Sequence, residues 1–166
     1  SILVLVDLNK NKIFEDILAQ SSIIIMAAPF SGKELAALRN KTKAIIINSP
    51  NNPTGVFYSE NWMDEFGKMI KKHEHVAMIS DEIYFKLNYY DPKPTYFYQK
   101  YPDLLSRTII IDGISKILSS TGLRIGYTIA PKEFINGLIK LQGQTASGAN
   151  SLIQKALLNF DFLLID

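Results

Sequence analysis

The sequence predicts an α/β fold, a three-layer α/β/α arrangement around a mostly parallel sheet. Two observations predict it. Five runs of apolar and β-branched residues, each six or seven long, lack the polar alternation of a strand with one wet face. Between them lie stretches with helical apolar spacing and their own start signals. A third observation bounds the size: 166 residues with 47% hydrophobic and 20% charged residues suit one globular domain with a real core.

The strand expectations are residues 22–28 (SIIIMAA), 43–48 (KAIIIN), 75–80 (HVAMIS), 107–112 (RTIIID) and 124–130 (RIGYTIA). Residues 1–6 (SILVLV) read as a further buried strand rather than a signal peptide, because no basic segment precedes them and Asp7 follows. Among the helices, Ser31 with Glu34 forms a capping-box pattern ahead of Leu35 and Leu38. Ser59 caps a helix with an apolar stripe of Trp62, Phe66, Met69 and Ile70. Pro131 opens another through Phe134, Leu138 and Ile139, and residues 151–160 form the last.

Charge and composition narrow the function. A net charge of +2 argues for neither nucleic acid nor a membrane surface. No run approaches the ~18 apolar residues of a spanning helix. The absence of cysteine removes disulfides and thiolate metal sites, and leans the reading towards the cytoplasm. Residues 27–34 (AAPFSGKE) look superficially like a phosphate loop, but Ala27 stands where its first glycine belongs and Glu34 where Ser or Thr should hold magnesium. His73-Glu74-His75 offers two ligands on one strand face without a third at recognisable spacing.

In α/β sheets, ligands bind where loops leave the carboxyl ends of strands. Strand 43–48 runs into Ser-Pro-Asn-Asn-Pro-Thr-Gly, a stiff turn that presents Asn side chains; alone it is equally a plain surface turn. Strand 75–80 runs into Asp81-Glu82-Ile83-Tyr84. A partly buried Asp81 needs a positive partner, such as a protonated ring nitrogen, or else caps a helix. Strand 107–112 runs into Gly113-Ile114-Ser115-Lys116. An amine between apolar neighbours is partly desolvated, which suits it to imine chemistry. Arg124 follows between glycines, and a guanidinium is a natural fork for phosphate oxygens. An acid for a ring nitrogen, an amine for an aldehyde, an Arg for a phosphate, and Asn with Tyr for a phenolic oxygen are together what a pyridoxal 5'-phosphate (PLP) site requires.

Residues 44–55 (AIIINSPNNPTG), 80–84 (SDEIY) and 112–127 (DGISKILSSTGLRIGY) resemble, in order and spacing, the three signature segments of the class I/II aminotransferases, which are fold-type-I PLP enzymes. The resemblance implies that residues 1–166 form a single, partial large domain of that fold, with the strand near 124–130 antiparallel to its neighbour. It implies that Asn52 and Tyr84 donate to the cofactor 3-oxygen, that Asp81 pairs with the pyridine nitrogen, and that Lys116 forms the aldimine and moves protons. It assigns Arg124, and Ser115 beside Lys116, to the phosphate. The implied partners are amino acid and 2-oxo acid substrates and a second copy in a homodimer; the implied reaction is amino-group transfer.

The family's phosphate-binding helix terminus, its ring-stacking aromatic residue and its small domain with the carboxylate-binding arginine have no counterpart in this stretch. The expectation is therefore of a truncated member. Two alternatives stay open: a non-catalytic remnant or interaction module of the same fold, and a related PLP lyase. Tyr89, Tyr90, Tyr96, Phe97, Tyr98 and Tyr101 either cover part of a subunit interface or pack onto the domain.

Overall fold

Six strands lie side by side in chain order: β1 (Ile2–Leu5), β2 (Ile23–Met26), β3 (Ala44–Asn48), β4 (Ala77–Asp81), β5 (Thr108–Gly113) and β6 (Gly126–Ile129). The computed structural model describes residues 2–5, 23–26 and 42–162. β1 to β5 are parallel, and β6 pairs antiparallel with β5, as expected. The α/β class and the mostly parallel sheet follow from the strand chemistry. Ile45, Ile47 and Met78 are buried on one face, while Ile46, Ile79 and Ile109 on the other are at least partly covered.

Helix α1 (Glu60–Lys71) covers the first of these faces. It starts where expected: the Ser59 hydroxyl accepts from the Trp62 amide at 3.2 Å. Glu60 lies in its first turn and Lys68 and Lys71 in its last, both favourable to the helix dipole. Trp62, Phe66 and Ile70 are buried against the sheet as the stripe predicts; Met63 joins them, and Met69 is partly covered. Tyr58, Trp62 and Phe66 stack at centroid distances of 4.0 and 4.9 Å, and Phe97 extends the row at 5.2 Å from Phe66. Each such side chain contributes roughly 1.5–3 kcal/mol by leaving water.

The chain leaves α1 through a turn that Arg107 ties down. Its guanidinium donates to the carbonyls of Ile70, His73 and Val76 at 2.7, 2.8 and 2.6 Å. Those carbonyls lie at and beyond the helix C-terminus, where intrahelical partners run out. Gly67 is needed for packing: a Cβ there would come within 2.4 Å of the Tyr101 ring.

The element edges differ from expectation in small, explicable ways. The strand expected from residue 75 starts at Ala77, because the turn held by Arg107 runs to Val76, and it extends to Asp81. The strand expected from residue 124 starts at Gly126. A 3-10 turn (Thr121–Leu123) precedes it, and Arg124 has left-handed backbone with φ 53°, which no strand residue adopts. Helix α2 (Phe97–Lys100) precedes β5, and the one-turn helix α3 (Ile114–Ile117) follows it directly. Helices α4 (Lys132–Thr145) and α5 (Ser151–Leu157) follow β6. Pro131 caps the former, and the last helix stops three residues short of the expected 160. The expected helix after Ser31 and the residues 27–34 lie outside the described residues.

The tyrosine-rich stretch divides in two. Tyr96 stacks on Phe85 at 3.6 Å and Tyr98 on Tyr96 at 4.9 Å, so this part packs onto the domain. Tyr89 and Tyr90 remain exposed.

Candidate active site

Parallel pairing brings the carboxyl ends of β3, β4 and β5 together, and the three motif loops leave from there. Asn48, the last residue of β3, is in register with Asp81, the last of β4. Its side-chain amide donates to the Asp81 carbonyl at 3.0 Å, which locks the two strand ends. Asn51 is buried and donates to the Asn48 side chain at 3.0 Å. Its own carbonyls accept from the Thr54 hydroxyl at 3.0 Å and the Gly55 amide at 2.6 Å. The turn is thus held internally by Asn51, which leaves its neighbour Asn52 projecting outward.

Asn52 uses that freedom to reach across the strand ends. Its Nδ2 donates to the Tyr84 hydroxyl at 3.1 Å. The Lys116 Nζ lies 5.2 Å from the centroid of the same Tyr84 ring, within cation–π range. Asn52, Tyr84 and Lys116 come from the segments that follow β3, β4 and β5 and form one contact chain. An open cleft lined by Pro50, Asn52, Phe57, Tyr84, Tyr89 and Tyr90 adjoins it.

Asp81 ends β4 on the face opposite α1, half-buried. Its Oδ1 accepts from the Ile83 amide at 3.3 Å, so it closes a tight turn rather than capping a helix. Burial pushes its carboxyl above the usual range; the Ile83 amide opposes this and the nearby Asp112 adds to it. No cation pairs with it among the described residues. A half-desolvated carboxylate of this kind is suited to a positive or proton-bearing partner.

Lys116 rides on α3, whose entry needs two glycines. Gly113 faces Gly126 across β5 and β6. A Cβ on Gly113 would lie 3.0 Å from the Ile125 carbonyl, and one on Gly126 would lie 3.1 Å from that of Asp112. The chain turns sharply into α3 with Ile114 buried beneath it, which leaves Ser115 and Lys116 half-exposed. The Ser115 carbonyl accepts from the Ser120 amide at 2.9 Å. Arg124 is exposed and donates to the Thr121 carbonyl at 3.1 Å. It makes no hydrogen bond or ion pair to Asn52, Asp81, Tyr84 or Lys116 among the described residues.

The residue composition alone does not single out three contributors: Asn48, Asn51 and Glu82. Asn48 ends β3, and Asn51 is the buried asparagine of the Ser-Pro-Asn-Asn-Pro-Thr-Gly turn that follows it. Glu82 is buried with its carboxyl hydrogen-bonded to the Ser80 hydroxyl. Two adjacent acids at a strand end are the available signal, since successive side chains point to opposite faces. His73 and His75 lie with ring centroids 6.1 Å apart, and no cluster of three or more His, Cys, Asp or Glu suits a metal among the described residues.

Comparison with known proteins bears directly on this geometry. Residues 32–160 match the family described as aminotransferase class I and II. The chain is 41% identical over 120 residues to an aspartate aminotransferase of Geobacillus stearothermophilus, covering 72% of this chain and 30% of that protein. It is 41% identical over 118 residues to one from Bacillus subtilis, covering 71% and 30%. It superposes on the aspartate aminotransferase structure from Rhizobium meliloti with TM-score 0.78 at 24% identity, covering 92% of this chain and 47% of that one. An aromatic aminotransferase from Pyrococcus horikoshii superposes with TM-score 0.73 at 25% identity, covering 86% and 46%. The chain thus spans less than a third of these curated relatives and under half of the matched structures.

Proposed function

Because the chain belongs to the aminotransferase class I and II family, we propose that its site holds PLP and serves amino-group transfer between an amino acid and a 2-oxo acid. The observation that carries this reading is the contact chain Asn52–Tyr84–Lys116 beside a half-buried Asp81 that pairs with no cation among the described residues. The side chains match the cofactor group by group: an amine for the aldehyde, a carboxylate for the pyridine nitrogen, a paired amide and phenol for the ring oxygen, a guanidinium for the phosphate.

When bound, PLP supplies an aldehyde and a pyridine ring that withdraws electrons from the substrate α-carbon. The chain's own residues do the rest. The Lys116 Nζ would hold the aldehyde and, as general base and acid, would take and return a proton at the substrate α-carbon. The Asp81 carboxylate favours a protonated pyridine nitrogen. Asn52 Nδ2 and the Tyr84 hydroxyl, already bonded to each other, donate to the 3-oxygen. Arg124 retains guanidinium N–H groups beyond the one given to Thr121, and with the Ser115 hydroxyl these are assigned to the phosphate.

Aspartate is the first amino donor to try, since the relatives from Geobacillus and Bacillus are named for it. A homodimer in the cytoplasm belongs to the same reading, and sedimentation velocity tests the dimer. The deciding experiment is PLP titration followed by borohydride reduction and peptide mapping. Near-stoichiometric label on Lys116 is expected. Label scattered over surface lysines, or none, would overturn the assignment and favour a non-catalytic remnant of the fold.

A further inference from the structure

The turn that carries Asp81 and Tyr84 is fastened from its other side. Glu82 lies between them, 6% exposed, and its carboxyl points to the α1 face while that of Asp81 points away. The Ser80 hydroxyl donates to Glu82 Oε1. The Glu82 amide donates to the Ile111 carbonyl at 2.8 Å, and its carbonyl accepts from the Phe85 amide at 2.9 Å. The surrounding space is closed by Ile47, Tyr58, Phe85 and Phe97. These three bonds, one from the side chain and two from the backbone, hold the turn in one position.

Resting on the PLP reading above, we propose that Glu82 is a positioning residue: buried behind the site, it anchors the Asp81–Tyr84 turn and so sets both contacts to the pyridine ring. A carboxyl deep in such a place costs free energy that an apolar residue would not, and no mechanistic step uses it. Its hydrogen bond from Ser80 gives it a purpose. Neither group contacted by the turn, ring nitrogen or 3-oxygen, tolerates a displacement of about 1 Å without loss.

The groups that act on Glu82 are Ser80 of β4, Asp112 of β5, Tyr58 ahead of α1, Tyr96 at the start of α2 and Tyr98 within it, with Asp81 acting from the opposite face. Burial pushes its carboxyl up to about 7; the Ser80 hydroxyl opposes this, and Asp112 and Asp81 add to it. The anchor therefore changes charge near neutral pH. Deprotonation places a negative charge behind the turn, with no cation paired to it among the described residues.

The test compares full-length Glu82→Gln, Glu82→Ala and Ser80→Ala with the parent chain, by PLP affinity and by hydrogen exchange of apoprotein amides 82–87 between pH 6 and 8. Glu82→Ala should weaken PLP about tenfold, because it removes the Ser80–Glu82 hydrogen bond that fixes the turn. It should speed exchange at amides 82–87 and leave α1 unchanged. Glu82→Gln keeps a neutral partner for Ser80, so it should bind PLP within about twofold of the parent. The parent's protection of amides 82–87, corrected for the intrinsic pH dependence of exchange, should fall above pH 7 as Glu82 ionises, and Glu82→Gln should not show that fall. Ser80→Ala should loosen the same amides if Glu82→Ala does not fold. Unchanged exchange in Ser80→Ala and Glu82→Gln at both pH values, with parental PLP affinity, overturns the anchor. Should the parent take up no PLP at all, the cofactor reading fails, while the exchange pattern still decides the anchor.

Discussion

Asn52 and Tyr84 are bonded side chain to side chain at 3.1 Å, across 32 residues of sequence. Both are assigned to one oxygen of the cofactor, so their effects should not add. Asn52→Ala and Tyr84→Phe should each weaken PLP binding about tenfold, from roughly 1.5 kcal/mol per charge-assisted bond. The double variant should lose less than the product of the two, because either single change already disturbs the shared geometry. A double-mutant cycle on PLP dissociation constants measures this. Strict additivity would mean the two side chains act on separate groups.

Asp81→Asn should separate stability from function. The folded-state carboxyl lies above its usual range, chiefly through burial. The folded state therefore holds its proton more tightly than the unfolded chain. The resulting penalty is fully present above the folded pKa and disappears as pH falls to the unfolded value. Asp81→Asn should thus be at least as stable as the parent at pH 7, with the advantage vanishing in acid, yet bind PLP more weakly. Urea midpoints across pH, beside PLP titrations, check both halves. A variant that loses stability at pH 7 would show that the carboxylate has a structural cation partner.

The α1 stripe, its Ser59 cap and the strand ends carrying Asn52, Asp81 and Lys116 are legible in the amino-acid sequence, because periodicity and turn chemistry are local signals. The relationships that sequence does not convey are long-range. The Asn48–Asp81 lock depends on strand register, the Asn52–Tyr84 bond on two loops meeting, and the burial of Glu82 on which face it points to. Arg124 shows the reverse case. Its residue type and position suggest a phosphate fork at the start of a strand, whereas its left-handed backbone puts it in the preceding loop.

Arg107 should matter for folding and not for the cofactor. Its guanidinium serves three carbonyls around the end of α1, away from the Asn52–Tyr84–Lys116 chain. Arg107→Ala leaves those carbonyls without their charged donor and should cost about 2–4 kcal/mol. Arg107→Lys should rescue only part, since one ammonium cannot reproduce the planar fork. Denaturant unfolding measures the loss, and PLP uptake per folded chain should stay at the parental value. A drop in that uptake would tie the helix end to the site.

Gly67→Ala sets two effects of opposite sign against each other. Alanine in a helix interior is favoured over glycine by roughly 1 kcal/mol. Against this, the new methyl would stand 2.4 Å from Tyr101 Cζ. The ring cannot swing away freely. Its hydroxyl donates to Asp64 at 2.8 Å, Phe97 lies 5.0 Å from it, and the Lys71 ammonium lies 5.1 Å over its face. Overpacking of this kind costs about 1–3 kcal/mol, and the lost Asp64 bond adds to it. The clash should win, so Gly67→Ala should unfold at lower denaturant than the parent, with Gly67→Ala/Tyr101→Ala recovering the helical gain while losing the ring's own packing. Near-UV circular dichroism of the tyrosines, followed through a urea titration, checks both variants. A single Gly67→Ala chain more stable than the parent would mean that Tyr101 moves aside at little cost.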